Sequence, residues 1–181
     1  PRRQRQMCIR DRGIASHGGS GISIGVIETI RNFGKSYRDA KLVHRLDKDT
    51  SGCQVIAKNN KFLRNCNKLI SERKVKKTYQ AIVHGNWIHK DGIYEINIEK
   101  NMLIGKERMV RISDGGKIAK TFFKVIESSK HFSLIQCELI TGRTHQLRVH
   151  LSELGFPIVG DKKYGIKAVS YTHLRAHETA M

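Results

Sequence analysis

Residues Thr121–Leu139 read TFFKVIESSKHFSLIQCEL. Two β-branched and aromatic runs, Thr121–Glu127 and Phe132–Leu139, flank the turn-forming Ser128-Ser129-Lys130, which predicts an antiparallel hairpin. Working outward, Thr78–Val83 and Ile93–Ile98 also read as strands, bounded by His84-Gly85 and Asp91-Gly92. Downstream, GRTHQLRVHLSELG (142–155) changes to helical spacing: Leu147, Leu151 and Leu154 share one face and Gly155 supplies the stop. Upstream, Val26, Ile27, Ile30 and Phe33 are spaced as a helix face ended by Gly34, and Asn59 or Asn60 can cap a helix carrying Leu63, Cys66, Leu69 and Ile70. The apolar run Val55-Ile56-Ala57 precedes that second helix. Mostly antiparallel strands with a few flanking helices predict an α+β domain.

The chain has 181 residues, room for one domain and a short appendage. No run of eighteen apolar residues is present, so no transmembrane helix or secretory h-region is expected. The four cysteines, Cys8, Cys53, Cys66 and Cys137, form no CxxC pair. They are expected as core filler in a reducing cytoplasm. Charge is the strongest bulk signal: 34 Lys and Arg stand against 16 Asp and Glu, a formal +18. Such an excess suits a polyanionic partner, because each neutralised phosphate releases counterions. A membrane surface is disfavoured, since no basic amphipathic helix carries Trp or Phe on its opposite face.

Both ends stand apart. Residues 1–12, PRRQRQMCIRDR, and 169–181, VSYTHLRAHETAM, lack apolar periodicity and resemble translated sequencing-adapter DNA. They are expected to be non-native tails around a body at 13–168. Removing them takes six arginines and two acids away and leaves +14, so the basic character belongs to the body.

Three polar constellations stand out. The first is His44-Arg45-Leu46-Asp47-Lys48-Asp49-Thr50-Ser51-Gly52. A carboxylate flanked by Arg45 and Lys48 suits a nucleophile or base better than an acid. An Asx-turn explains the same composition. The second is Thr141-Gly142-Arg143-Thr144-His145-Gln146-Leu147-Arg148. Arg143, beside a glycine turn at a helix start, suits a planar grip on carboxylate or phosphate. An exposed basic helix that touches only RNA backbone is the plainer reading. His145 and His150 stand five apart, off one helical face, so no metal is expected. The third is Lys76-Lys77-Thr78-Tyr79, a tyrosine between cations on a strand. It suits stacking on a base, or cross-strand packing.

Together, HRLDKDTSG (44–52), KKTYQAIVHG (76–85), TGRTHQLRVHL (141–151) and PIVGDKKYG (157–165) resemble, in this order, the pseudouridine synthases of the RluA type. The HGGSG loop (17–21) and GKERMVRIS (105–113) resemble members acting on the large ribosomal subunit. The resemblance spans residues 13 to 167 and implies an enzyme that isomerises uridine to pseudouridine in 23S ribosomal RNA. By resemblance, Asp47 is the nucleophile, Tyr79 packs against the target base and takes the carbon-5 proton, and Arg143 pairs with Asp47 and aims it. Arg45 would fill the space left by the extruded base. His44, Thr50, Lys76, Lys77, Thr144, His145, Gln146 and Arg148 are expected to bind RNA. No cofactor, no metal and no membrane are implied, and a cytoplasmic monomer is expected. The S4-type RNA-binding domain with which relatives begin is expected to be missing here. Two alternatives stay open: a non-catalytic RNA-binding fragment, and a synthase acting on transfer RNA or other ribosomal uridines.

Overall fold

The computed structural model describes residues 5–19, 23–104 and 107–166. The Ser20–Gly21 end of the HGGSG loop, Gly105–Lys106 and the tail 169–181 lie outside the described residues. The chain divides into two compact units, residues 1–75 and 76–181.

The first unit is built on a small antiparallel sheet. β1 (Arg5–Arg10), β2 (Lys41–Leu42) and β3 (Gly52–Ala57) are arranged β1-β3-β2. β1 pairs with β3 over six residues, from Arg5↔Ala57 to Arg10↔Gly52. This segment, set aside in the sequence as a tail, therefore forms an outer strand of the sheet. α1 (Val26–Arg31) buries Ile27 and Ile30 against Ala40 and Ile56, with Val26, Tyr37 and Leu42 around them. Phe33 stays 68% exposed, because the helix has ended before it and its side chain leaves the apolar face. α2 (Asn60–Ser71) starts at Asn59, whose Oδ1 accepts from the Phe62 amide at 2.9 Å. That is the predicted cap.

The second unit holds the larger sheet. β4 (Thr78–His84), β5 (Gly92–Ile104), β6 (Glu107–Ile112), β7 (Lys117–Ser128) and β8 (Phe132–Leu139) are antiparallel neighbours in the order β4-β8-β7-β5-β6. The predicted hairpin is present, with Ser128 opposite Ser133 and Thr121 opposite Leu139. Alternation drives the packing. Ala119, Thr121 and Phe123 of β7 and Ser133, Ile135 and Cys137 of β8 are buried, while their neighbours turn away. α3 (Gln146–Glu153) lays Leu147, Leu151 and Leu154 on this face, beside Val83, Trp87 and Phe156. After α3 the chain returns along β4, with Val159 N donating to Ile82 O at 2.9 Å, which covers part of that strand's edge. The sequence reading had no strand at β1 or β6, and it ended β5 six residues early.

Of the cysteines, Cys137 is buried, and burial pushes its thiol up to about 12. Cys66 is half-buried. Cys53 is exposed, because it lies on the outward face of β3, and so is not core filler.

Candidate active site

The first unit presents Asp47 in the loop between β2 and β3. Thr50 N donates to Asp47 O at 3.0 Å, which closes a tight turn over Asp47-Lys48-Asp49-Thr50. Asp47 is half-buried, and Lys48 and Asp49 are exposed. The turn is fixed from several sides. Leu46 is buried, its amide donating to Ser16 Oγ at 3.2 Å while that hydroxyl donates to Leu46 O at 3.0 Å. Gly13 N donates to Lys48 O at 2.8 Å. The buried Arg10 guanidinium lies beneath, donating to the carbonyls of Asp47, Thr50 and Ile14. Burial pushes Arg10 below its ordinary value, against the pull of Asp47 and Asp49.

His44 Nε2 accepts from Val55 N at 3.1 Å, and Gln54 Nε2 donates to His44 O at 3.3 Å, so this imidazole anchors the loop to β3. Arg45 is exposed, its Nη1 3.0 Å from His17 Nε2. His17 opens the glycine-rich loop, which Glu28 ties down: its Oε2 accepts from Gly25 N at 2.9 Å and Gly18 N at 3.1 Å. Burial opposes the Glu28 charge, but these amides and Arg31 outweigh it and hold the carboxyl below its usual range. Only glycine fits at position 25, where a Cβ would stand 2.6 Å from His17 Cα.

The second unit gathers the other two motifs at one end of its sheet. The β4–β8 register sets Tyr79 opposite Cys137 and Thr78 opposite Glu138. The start of β4 therefore adjoins the chain leaving β8 toward Thr141-Gly142-Arg143. Lys77 and Tyr79 share the inward side of β4 and are both half-buried. A Cβ at Gly142 would stand 3.2 Å from Lys77 Nζ, so the glycine lets the lysine approach the turn. Burial pushes Lys77 below its ordinary value. Lys76 points the other way, 2.9 Å from Glu138.

Gln146 organises the Arg143 turn. It is 2% exposed and fully used: Oε1 accepts from Arg143 N and Thr141 Oγ1, both at 2.9 Å, and Nε2 donates to Lys120 O and Thr121 Oγ1, both at 3.0 Å. Arg143 is exposed, with Nε donating to Ile118 O at 3.3 Å. Thr144 is half-buried. His145 adopts a left-handed conformation at φ 52°, a strained state for a residue with a Cβ. Its Nδ1 lies 2.8 Å from Tyr164 Oη, which also accepts from Val110 N at 3.0 Å. Arg148 grips Asp161 through Nε and Nη2 at 2.7 and 2.8 Å and stacks over Tyr164. Against its burial, Asp161 is held below the usual carboxylate range by Arg148 and the amides of Tyr164 and Lys163.

Several positioning residues escaped the sequence reading. Ser16, Glu28, Asp161 and Tyr164 hold Leu46, Gly18, Arg148 and His145 respectively. Glu28 was findable three residues after Gly25, the spacing of a capping box. Asp161 and Tyr164 lie within PIVGDKKYG, a stretch valued in the sequence only for its resemblance. Among the described residues no group of three or more His, Cys, Asp or Glu side chains is placed to hold a metal ion. No helix of the described residues is long and apolar enough to cross a membrane.

Comparison with known proteins shows the family. The ribosomal large subunit pseudouridine synthases C of Pasteurella multocida strain Pm70 and Escherichia coli strain K12 are each 44% identical to this chain, over 86% and 84% of it. The chain spans about half the length of these curated relatives, 48% in each case. Among solved structures, Human RNA Pseudouridylate Synthase Domain Containing 4 superposes with a TM-score of 0.75 at 27% identity, covering 95% of this chain and 71% of that one. Human RNA Pseudouridylate Synthase Domain Containing 1 has the same score and identity over 91% and 67%. The family model described as RNA pseudouridylate synthase matches residues 13–153, so both loops, β4 and all of α3 fall within it, and the chain belongs to the RNA pseudouridylate synthase family.

Proposed function

We propose that residues 13–168 are the catalytic portion of an enzyme that isomerises uridine to pseudouridine in large-subunit (23S) ribosomal RNA, with Asp47 as nucleophile. The observation that carries this reading is the half-buried Asp47, held in a tight turn by Ser16, Gly13 and Thr50, in a chain of this family. The relatives named for the large ribosomal subunit support the choice of RNA.

The reaction breaks the bond between N1 of uracil and C1′ of ribose and forms one between C5 and C1′. The C5 proton leaves and N1 gains one, so atoms and electrons balance with no redox partner or group donor, and no cofactor is required. Asp47 supplies the carboxylate that opens the glycosidic bond through a covalent intermediate. Tyr79 packs against the base and accepts the C5 proton. Arg143, on the turn that Gln146 fixes, pairs with Asp47 and aims it, and Arg45 occupies the stack once the uridine has left. Extruding the uridine costs a few kcal/mol, which phosphate contacts offset. Lys76, Lys77, Thr144, His145 and Arg148 lie in the motifs assigned to that binding. The chain acts as a monomer in the bacterial cytoplasm.

Pseudouridine mapping tests this directly. Unmodified large-subunit RNA is incubated with the parent chain and, separately, with Asp47→Asn. Conversion by the parent alone supports both the reaction and the nucleophile. Equal conversion by both overturns the role of Asp47. A folded parent that binds the RNA and converts nothing overturns the enzyme in favour of a binding fragment. Conversion of transfer RNA in its place overturns the substrate.

A further inference from the structure

α2 is amphipathic, and its outward face carries cations with no acid among them. Half-buried Phe62, Leu63 and Cys66 turn toward the unit's sheet, while Lys61, Arg64 and Lys68 are exposed. At 3.6 residues per turn these three cations fall within about 60° of arc and span about 10 Å of helix axis. Residues 60–71 contain no aspartate or glutamate.

This arrangement works against the helix's own stability. Lys61 and Arg64 at i,i+3, and Arg64 and Lys68 at i,i+4, are like-charge neighbours that destabilise the helix. Lys61 also lies in the first turn, where the helix dipole disfavours positive charge. Glu72 relieves only the far end, at 3.8 Å from Lys68 and 2.8 Å from Lys74. Neither Lys61 nor Arg64 has an acidic partner among the described residues. The second unit treats several of its cations differently: Arg111 pairs with Glu99 at 3.0 Å and Arg148 with Asp161 at 2.7 Å. A solvated face that served only solubility would intersperse acids in the same way. Three cations in line, relieved only at the Glu72 end, call for a polyanion whose charges are also in line.

We propose that Lys61, Arg64 and Lys68 form a stripe that holds the phosphate backbone of RNA, which rests on the reading of the chain as an RNA-modifying enzyme. RNA is favoured over an anionic membrane because the exposed residues of α2 are Lys, Arg, Asn and Ser with Leu69 alone apolar, and no aromatic side chain is among them to enter lipid. Backbone contacts of this kind carry no sequence preference and add to affinity uniformly.

The test is the salt dependence of binding by the full chain. The triple variant Lys61→Gln, Arg64→Gln, Lys68→Gln keeps strong helix formers at each position. Lys130→Gln, on the turn of the β7–β8 hairpin, is the control. Probes are transcribed large-subunit RNA, a scrambled RNA of equal length, and vesicles rich in phosphatidylserine. The triple variant is expected to bind both RNAs more weakly at fixed salt, with the slope of log K against log salt smaller by about 2 to 3. The control keeps the parent slope, and circular dichroism of the triple variant matches the parent. An unchanged slope and affinity in a folded variant overturns the stripe alone. Weakened vesicle binding with RNA binding intact overturns it in favour of a membrane. Weakened RNA binding in a chain whose parent converts no uridine sustains the stripe and overturns the proposed reaction.

Discussion

At the scale of single residues, Gln146 holds the Arg143 turn in place from within the same motif. Its amide serves Arg143, Thr141, Lys120 and Thr121 at once from a fully packed position. Gln146→Leu conserves the bulk and removes every one of those bonds. The variant is expected to lose about 2–4 kcal/mol of stability, because buried polar partners are left unmet, and its turnover should fall as the Arg143 turn loosens. Urea denaturation and single-turnover conversion read the two effects. A variant with parental stability would show that the four bonds are dispensable. Arg143→Ala is expected to cost far more activity than Lys74→Ala, since Lys74 is paired to Glu72 at the exposed end of α2. Equal losses in single-turnover conversion would remove Arg143 from the chemistry. Asp47→Asn should abolish conversion yet leave RNA affinity within about threefold, because phosphate contacts dominate binding. Filter binding beside the mapping experiment checks that split.

Among the elements, what was legible in the sequence had a periodic cause. The β7–β8 hairpin, the Asn59 cap and the apolar side of α3 follow from alternation, a local side-chain bond and helical spacing, each visible in one stretch of chain. What was not legible depended on partners distant in sequence. β1 gains its structure from β3, some 45 residues later, and main-chain pairing is open to many sequences. The clamp on Gln146 depends on Lys120 and Thr121 arriving from β7, and the anchor on His145 depends on Tyr164. The candidate site residues stand in motifs, whereas supports such as Ser16, Glu28 and Tyr164 do not announce themselves, because a buried hydrogen bond leaves no period in the sequence. β1 also has a consequence of its own. Arg10→Ala strips the donor from beneath the Asp47 turn and leaves carbonyls of Asp47, Thr50 and Ile14 unserved. Hydrogen exchange of the amides between residues 43 and 57 is expected to quicken by at least tenfold. Parental protection there would mean that the turn is held by Ser16 and Gly13 alone.

For the molecule as a whole, stability is tied to pH through one group that the reaction does not use. His150 is fully buried on α3 with its ring edge against Phe123, 5.1 Å between centroids, and neither nitrogen has a partner among the described residues. Burial pushes its imidazole down to about 4 from an ordinary 6.5. Between those values the unfolded chain binds a proton that the folded chain refuses. Stability therefore rises with pH through this window and is lost as pH falls from about 6.5 toward 4. Glu28 and Asp161, both held below the usual carboxylate range, act in the same direction only in more acidic solution. The interval from pH 7.5 to 5 lies above those carboxylates and spans the His150 window, for which linkage gives about 2 kcal/mol lost. His150→Leu keeps an apolar side chain against Phe123 and removes this titration, so its urea midpoint should fall less than the parent's over the same interval. If parent and variant decline together, the imidazole is not the group that titrates, and the acid sensitivity belongs to another part of the fold.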